Sequence, residues 1–141
     1  MKNERYQGIF QFIKFGLVGV SNTAVDWVIF FLLTITFLKE AETFAKALAF
    51  LVAMLNSYLW NTIWTFKKEY RDATAIEGTN VKRAIFMKFA VVSILGWGLN
   101  TLAFNFTRFD LDQSKVIALI VASAVATLLN YFANKLWTYK K

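Results

Sequence analysis

The sequence predicts an all-α, polytopic membrane protein with four transmembrane helices, arranged as two tandem hairpin repeats of parallel orientation. Three observations predict it. The 141 residues are 57% hydrophobic, against roughly 45–50% for an ordinary soluble domain. Four apolar stretches, about 10–37, 44–66, 85–106 and 115–138, each supply the ~20 residues that cross a hydrocarbon core. The chain also repeats itself: residues 61–68 read Asn-Thr-Ile-Trp-Thr-Phe-Lys-Lys, and residues 134–141 read Asn-Lys-Leu-Trp-Thr-Tyr-Lys-Lys.

The repeat extends upstream. Ile13-Lys14-Phe15 is echoed by Met87-Lys88-Phe89, so Lys14 and Lys88 lie 74 residues apart and Trp64 and Trp137 lie 73 apart. A shift of one residue over that span implies a duplicated unit with a single indel. The organisation expected is one membrane domain over 1–141. It comprises a first repeat at about 10–68, a cytoplasmic loop at about 67–83 and a second repeat at about 84–141.

The first stretch is the longest and exceeds the core thickness at about 1.5 Å per residue. Its start, Ile9 to Phe15, should lie in the interface, with Lys14 snorkelling to headgroups. The second and fourth stretches end in Trp64 and Trp137, each ahead of a Lys pair. An indole followed by Lys is an ordinary interface anchor, and contact with a lipid headgroup or sugar at that level is the alternative. The third stretch carries Ser93, Gly96, Trp97 and Asn100 at helical spacing.

Orientation follows from basic residues. Lys67, Lys68, Arg71, Lys82 and Arg83 fill the central loop, and Lys2, Arg5, Lys140 and Lys141 the termini. The other two loops are balanced: Lys39 and Lys46 against Glu40 and Glu42, and Arg108 and Lys115 against Asp110 and Asp112. The positive-inside rule puts both termini and the central loop in the cytoplasm. The net charge of +7 then fits loops against an anionic leaflet and not nucleic acid. With no Cys and no His the chain has no disulfide framework, no usual zinc site and no Ser-His or Cys-His pair. Neither a metal, a cofactor nor an enzymatic activity is expected.

Polar residues inside the spans are the candidates for function. Asp26 lies 12 residues after Lys14, about 18 Å deeper along a helix, where insertion costs roughly 2.5–3.5 kcal/mol. It is either a packing hydrogen-bond partner or a ligand or proton site. The repeat sets Asn100 opposite it. Asn22 and Asp26 share a helix face, as do Ser57, Asn61 and Trp64, with Asn56 and Trp60 beside them, and Asn130, Asn134 and Trp137. These stripes either bond helix to helix, at about 0.6 kcal/mol each, or line a cleft from mid-bilayer to the surface. Lys14, Lys88 and Lys135, with Lys67–Lys68, close its basic end, either as solvated charges or as a phosphate site.

The residues resemble the GtrA-like family, which includes the membrane region of some dolichyl- or polyprenyl-phosphate sugar synthases. The resemblance covers nearly the whole chain. It rests on Phe12-Ile13-Lys14-Phe15-Gly16-Leu17-Val18-Gly19 with Asn22 and Thr23, on residues Asn56 to Phe66, and on Asn130 to Tyr139. The first copy departs from the motif twice: Ser57 stands where the second copy has Asn130, and Thr62 where it has Lys135.

The resemblance implies translocation of a polyprenyl-phosphate-linked sugar to the outer leaflet for cell-envelope glycosylation. Lys14, Lys88 and Lys135 would then meet the phosphate. Asn22, Asp26, Asn56, Asn61, Asn100, Asn130 and Asn134 would solvate the sugar, with Trp60 and Trp97 stacking on it. Four helices make a small path, so a homo-oligomer is expected, and a glycosyltransferase partner is compatible. The alternatives are a non-transporting partner of a glycosyltransferase and a small proton-coupled exporter relying on Asp26.

Overall fold

The computed structural model describes residues 2–140. Lys141, counted above among the basic residues, lies outside it, as do the side chains of Lys2, Arg5 and Glu42. Every element is helical: α1 (Lys2–Thr36), α2 (Glu42–Trp60), α3 (Lys67–Asn105) and α4 (Lys115–Ala133). Wide π-helical turns at Asn61–Thr65, Phe106–Asp110 and Asn134–Thr138 extend α2, α3 and α4. Four segments are long and apolar enough to cross a bilayer: Tyr6–Thr36, Phe44–Thr65, Gly78–Asp110 and Lys115–Thr138. They coincide with the four predicted stretches.

Composition explains the long helices. The chain has no Pro, the residue that most strongly breaks a helix. Span hydroxyls turn back onto their own helix: Thr23 donates to the Gly19 carbonyl, Thr34 to Phe30 and Thr101 to Trp97. Such back-bonding satisfies a hydroxyl in hydrocarbon without a second helix. Ser114 caps α4 by accepting from the Ile117 N–H at 3.3 Å. A capping Ser of this kind is worth about 1 kcal/mol.

The segment expected as a loop, 67–83, is helical. It is rich in Lys, Glu, Arg and Ala, all good helix formers, and its one interruption is Gly78, with φ 61° and ψ −139°. That conformation is open to Gly and strained for other residues, so α3 bends there. The sequence search for apolar windows passes over such a helix because it is polar.

The chain divides into two compact units, residues 1–67 and 68–141. In the first, α1 packs on α2 and on its π turn. Gln11 reaches Thr65, Lys14 reaches Trp64, and Lys46 near the start of α2 reaches Phe30 in α1, so the two helices run antiparallel. In the second unit, Lys88 of α3 meets Trp137 and Phe89 meets Tyr139, which makes α3 and α4 antiparallel too.

Small residues bring the helices close. Ala45, Ala49 and Ala53 in α2 are buried, and so are Ala118, Ala122 and Ala126 in α4, each 73 residues on. Alanines at every fourth position let backbones approach and gain dispersion energy, the main attraction between helices in lipid. At Gly96 the fit is tight as well: a Cβ there would collide with the side-chain amide of Asn130.

Gly96→Ala should therefore overpack the α3–α4 contact and cost about 1–3 kcal/mol, read as a lowered Tm in detergent. Asn130→Ser in the same chain should recover most of it, because the shorter side chain vacates the space. An unchanged Tm for Gly96→Ala would remove the basis for this packing account.

Candidate functional site

The basic end of each unit is built around a buried Asn at the start of a π turn. The Asn61 carbonyl accepts from the Phe66 N–H at 2.7 Å, and the Asn134 carbonyl from the Tyr139 N–H at 2.9 Å. These bonds span five residues, which widens the turn. The side chains reinforce it: Asn61 Nδ2 donates to the Ser57 carbonyl at 2.9 Å and Ser57 Oγ at 3.2 Å, and Asn134 Nδ2 to the Asn130 carbonyl at 2.9 Å. Asn61 is 1% exposed and Asn134 2%. In both turns the amide oxygen and the hydroxyl four residues on, Thr65 or Thr138, are buried with no partner.

An aromatic pair closes each turn. Phe15 meets Phe66 edge-on at 6.1 Å, and Phe89 meets Tyr139 at 6.5 Å. Lys14 Nζ sits 5.4 Å from the Trp64 ring and Lys88 Nζ 5.7 Å from the Trp137 ring, within cation–π range.

The two lysines differ in what else they do. Lys88 Nζ donates to the Trp137 carbonyl at 3.4 Å, satisfying a group at a helix C-terminus, where a cation is favoured. In the first unit Gln11 serves the carbonyl one residue further along the repeat, its Nε2 donating to the Thr65 carbonyl at 3.2 Å. Lys14 is left with the indole alone: among the described residues its ammonium has no hydrogen-bond or ion-pair partner. Lys135 is engaged by its own helix, with Nζ 3.2 Å from the Tyr131 hydroxyl and 5.4 Å from its ring. Of the three lysines expected to meet a phosphate, Lys14 is the one whose donors are uncommitted.

Beside Lys14 the first unit carries an open groove of about 360 Å³, lined by Leu17, Val18, Ser21, Trp60, Ile63 and Trp64. Trp60 and Trp64, one turn apart, form one wall and are both partly exposed. Small-molecule sites run from roughly 300 to 1,000 Å³, so the groove is large enough for a monosaccharide. In the second unit the matching positions hold Leu95 for Ser21 and Ala133 for Trp60, which removes one indole and the hydroxyl.

Deeper in the first unit, Asn22, Asp26 and Asn56 are half-buried. Asn100 and Asn130 are half-buried in the second, and Asn130 lies against Gly96. Trp97, expected to stack beside them, is 59% exposed. Trp64 and Trp137 are exposed at the basic ends, as anchors would be. The residues expected to line one cleft are thus distributed within two separate units.

The sequence reading missed Lys46. Counted there with the loop charges, it lies one turn inside α2, with Nζ 5.9 Å from the Phe30 ring, and it acts electrostatically on Asp26. The signal was present in the antiparallel pairing, since Lys46 and Phe30 are level when Lys14 and Trp64 are. Among the described residues no three His, Cys, Asp or Glu side chains gather in a way that could hold a metal.

A family model described as GtrA/DPMS, transmembrane domain, matches residues 14–139. A Bacillus subtilis (strain 168) protein, named as the uncharacterised membrane protein YngA, is 28% identical over 131 residues, spanning 89% of this chain and 77% of its own. No solved structure matches the chain.

The division of labour among the lysines is measurable as stability. Lys88→Met should lower the Tm in detergent more than Lys14→Met, because it strips a helix-end carbonyl of its donor as well as an indole of its cation. Gln11→Leu should also lower the Tm, by stripping the Thr65 carbonyl of its donor. Equal losses for Lys14→Met and Lys88→Met would show that the lysines do the same work.

Proposed function

Since the chain belongs to the GtrA/DPMS transmembrane-domain family, we propose that this multi-pass membrane protein moves a polyprenyl-phosphate-linked monosaccharide across the cell membrane. The observation that carries the proposal is the groove of the first unit. Trp64, which lines the groove together with Trp60 and Ser21, also carries the uncommitted ammonium of Lys14 over its ring. An ammonium suits a phosphate, indole faces suit the apolar faces of a sugar ring, and the open side leaves the prenyl chain in the bilayer. The chemistry asked of the protein is binding and passage, with no bond made or broken.

The basic ends face the cytoplasm, where sugar phosphates are made, and the lipid leaves toward the outer leaflet for envelope glycosylation. Each unit is built as a copy of one hairpin: the Asn π turn, the Lys–indole contact, the aromatic closure and the alanine stripe recur 73 or 74 residues apart. A second copy of the chain and a glycosyltransferase are the partners this role calls for. Asp26 supports one other reading, a small proton-coupled exporter, which would show pH-driven dye efflux abolished by Asp26→Asn.

Reconstitution into liposomes tests the proposal. A labelled polyprenyl-phosphate sugar placed in one leaflet should become accessible from the other at a protein-dependent rate. Lys14→Ala should weaken binding of that lipid about tenfold or more, the usual scale for losing a hydrogen bond to a charged group. Protein that leaves the lipid in its starting leaflet would sink the flipping role, and a glycosyltransferase that still gains activity from such protein would establish the scaffold role instead.

A further inference from the structure

Two buried polar atoms in the first unit complement one another. Asn22 Oδ1, an acceptor on α1, and Asn56 Nδ2, a donor on α2, are both buried without a partner. The register set by Gln11 with Thr65, Lys14 with Trp64 and Phe30 with Lys46 brings Asn22 level with Asn56. An unpaired acceptor and an unpaired donor buried at one level of a hairpin are a costly arrangement in a low-dielectric interior. One group satisfies both at once: a hydroxyl, which donates to the first and accepts from the second.

The second unit lacks this pair. Its matching positions are Gly96 and Leu129, and the Asn130 amide fills the space over Gly96. The buried orphans at Asn61, Thr65, Asn134 and Thr138 behave differently, since they occur in both units alike and belong to the π turns. The orphans confined to the first unit are Asn22 and Asn56, in the same unit as the groove.

We propose that Asn22 and Asn56 form a hydroxyl clamp that holds one hydroxyl of the sugar during its passage. The proposal rests on the translocation reading above. The clamp lies eight residues beyond Lys14 on α1 and eight before Trp64 on α2, about 12 Å below the Lys–indole contact. A single pyranose whose phosphate is on Lys14 does not extend that far. The clamp is therefore a second station, reached after the phosphate leaves Lys14, and it acts on the rate of crossing and not on capture.

Capture and crossing are separated by two measurements on the full chain in liposomes. Tryptophan quenching reads lipid binding, and leaflet accessibility reads crossing. Asn22→Leu and Asn56→Leu should leave binding of a polyprenyl-phosphate hexose within about twofold and slow its crossing about tenfold or more. Unmodified protein gives an independent arm: in a series of lipids each lacking one sugar hydroxyl, one member should bind normally and cross about tenfold more slowly. Crossing insensitive to both amides and to every hydroxyl would overturn the clamp, leaving water as the group bound there, while translocation itself stood. Equal losses of binding and crossing would also overturn it, because the amides would then be structural. No crossing by unmodified protein would overturn the translocation reading and the clamp together.

Discussion

A carbonyl at the end of a helix that stops inside or beside hydrocarbon has no water to turn to, and the rest of this structure depends on how that need is met. At the basic ends of α2 and α4 it is met in two ways: the Asn61 and Asn134 carbonyls accept from the N–H five residues on, closing a wide turn, and the Asn side-chain amides donate to carbonyls four residues back. The widened turn fixes where the next residues point. Phe66 and Tyr139 fold inward as lids over Phe15 and Phe89, and Trp64 and Trp137 are left outward under a lysine. Anchor, lid and cation site are consequences of one hydrogen-bonding solution.

The two units meet the need with different donors. One sets a lysine on the Trp137 carbonyl, the other a glutamine, three residues before the matching lysine, on the Thr65 carbonyl one residue further along the repeat. Lys14 keeps its donors available, and the Trp64 ring beneath it lines the groove of the first unit.

The fold was legible in the sequence because apolar length is a strong signal: four stretches marked four spans, and the repeated Asn…Trp-Thr-aromatic ending marked the basic ends. The polar helix before Gly78 was illegible by the same measure, since its residues carry no apolar run and its helicity rests on local propensity. Lys46 was misplaced because charge near a span's end reads as loop, whereas α2 begins before it. Asn22 and Asn130 were read as separate members of two stripes. The packed second hairpin shows what the stripe does not, that the Asn130 side chain lies over Gly96 of the neighbouring helix.

The difference between the two hairpins separates architecture from use. A polar atom left unpaired at equivalent sites of both units is tied to what both units share, which is the π turn. A polar atom left unpaired in one unit alone cannot be explained by the common hairpin, because the other hairpin folds without it. Burying an amide group costs free energy in either case, and the second unit has Gly96 and Leu129 at the matching positions. Asn22 and Asn56 therefore carry a cost that the fold does not require, and they carry it in the same unit as the free lysine and the indole-walled groove.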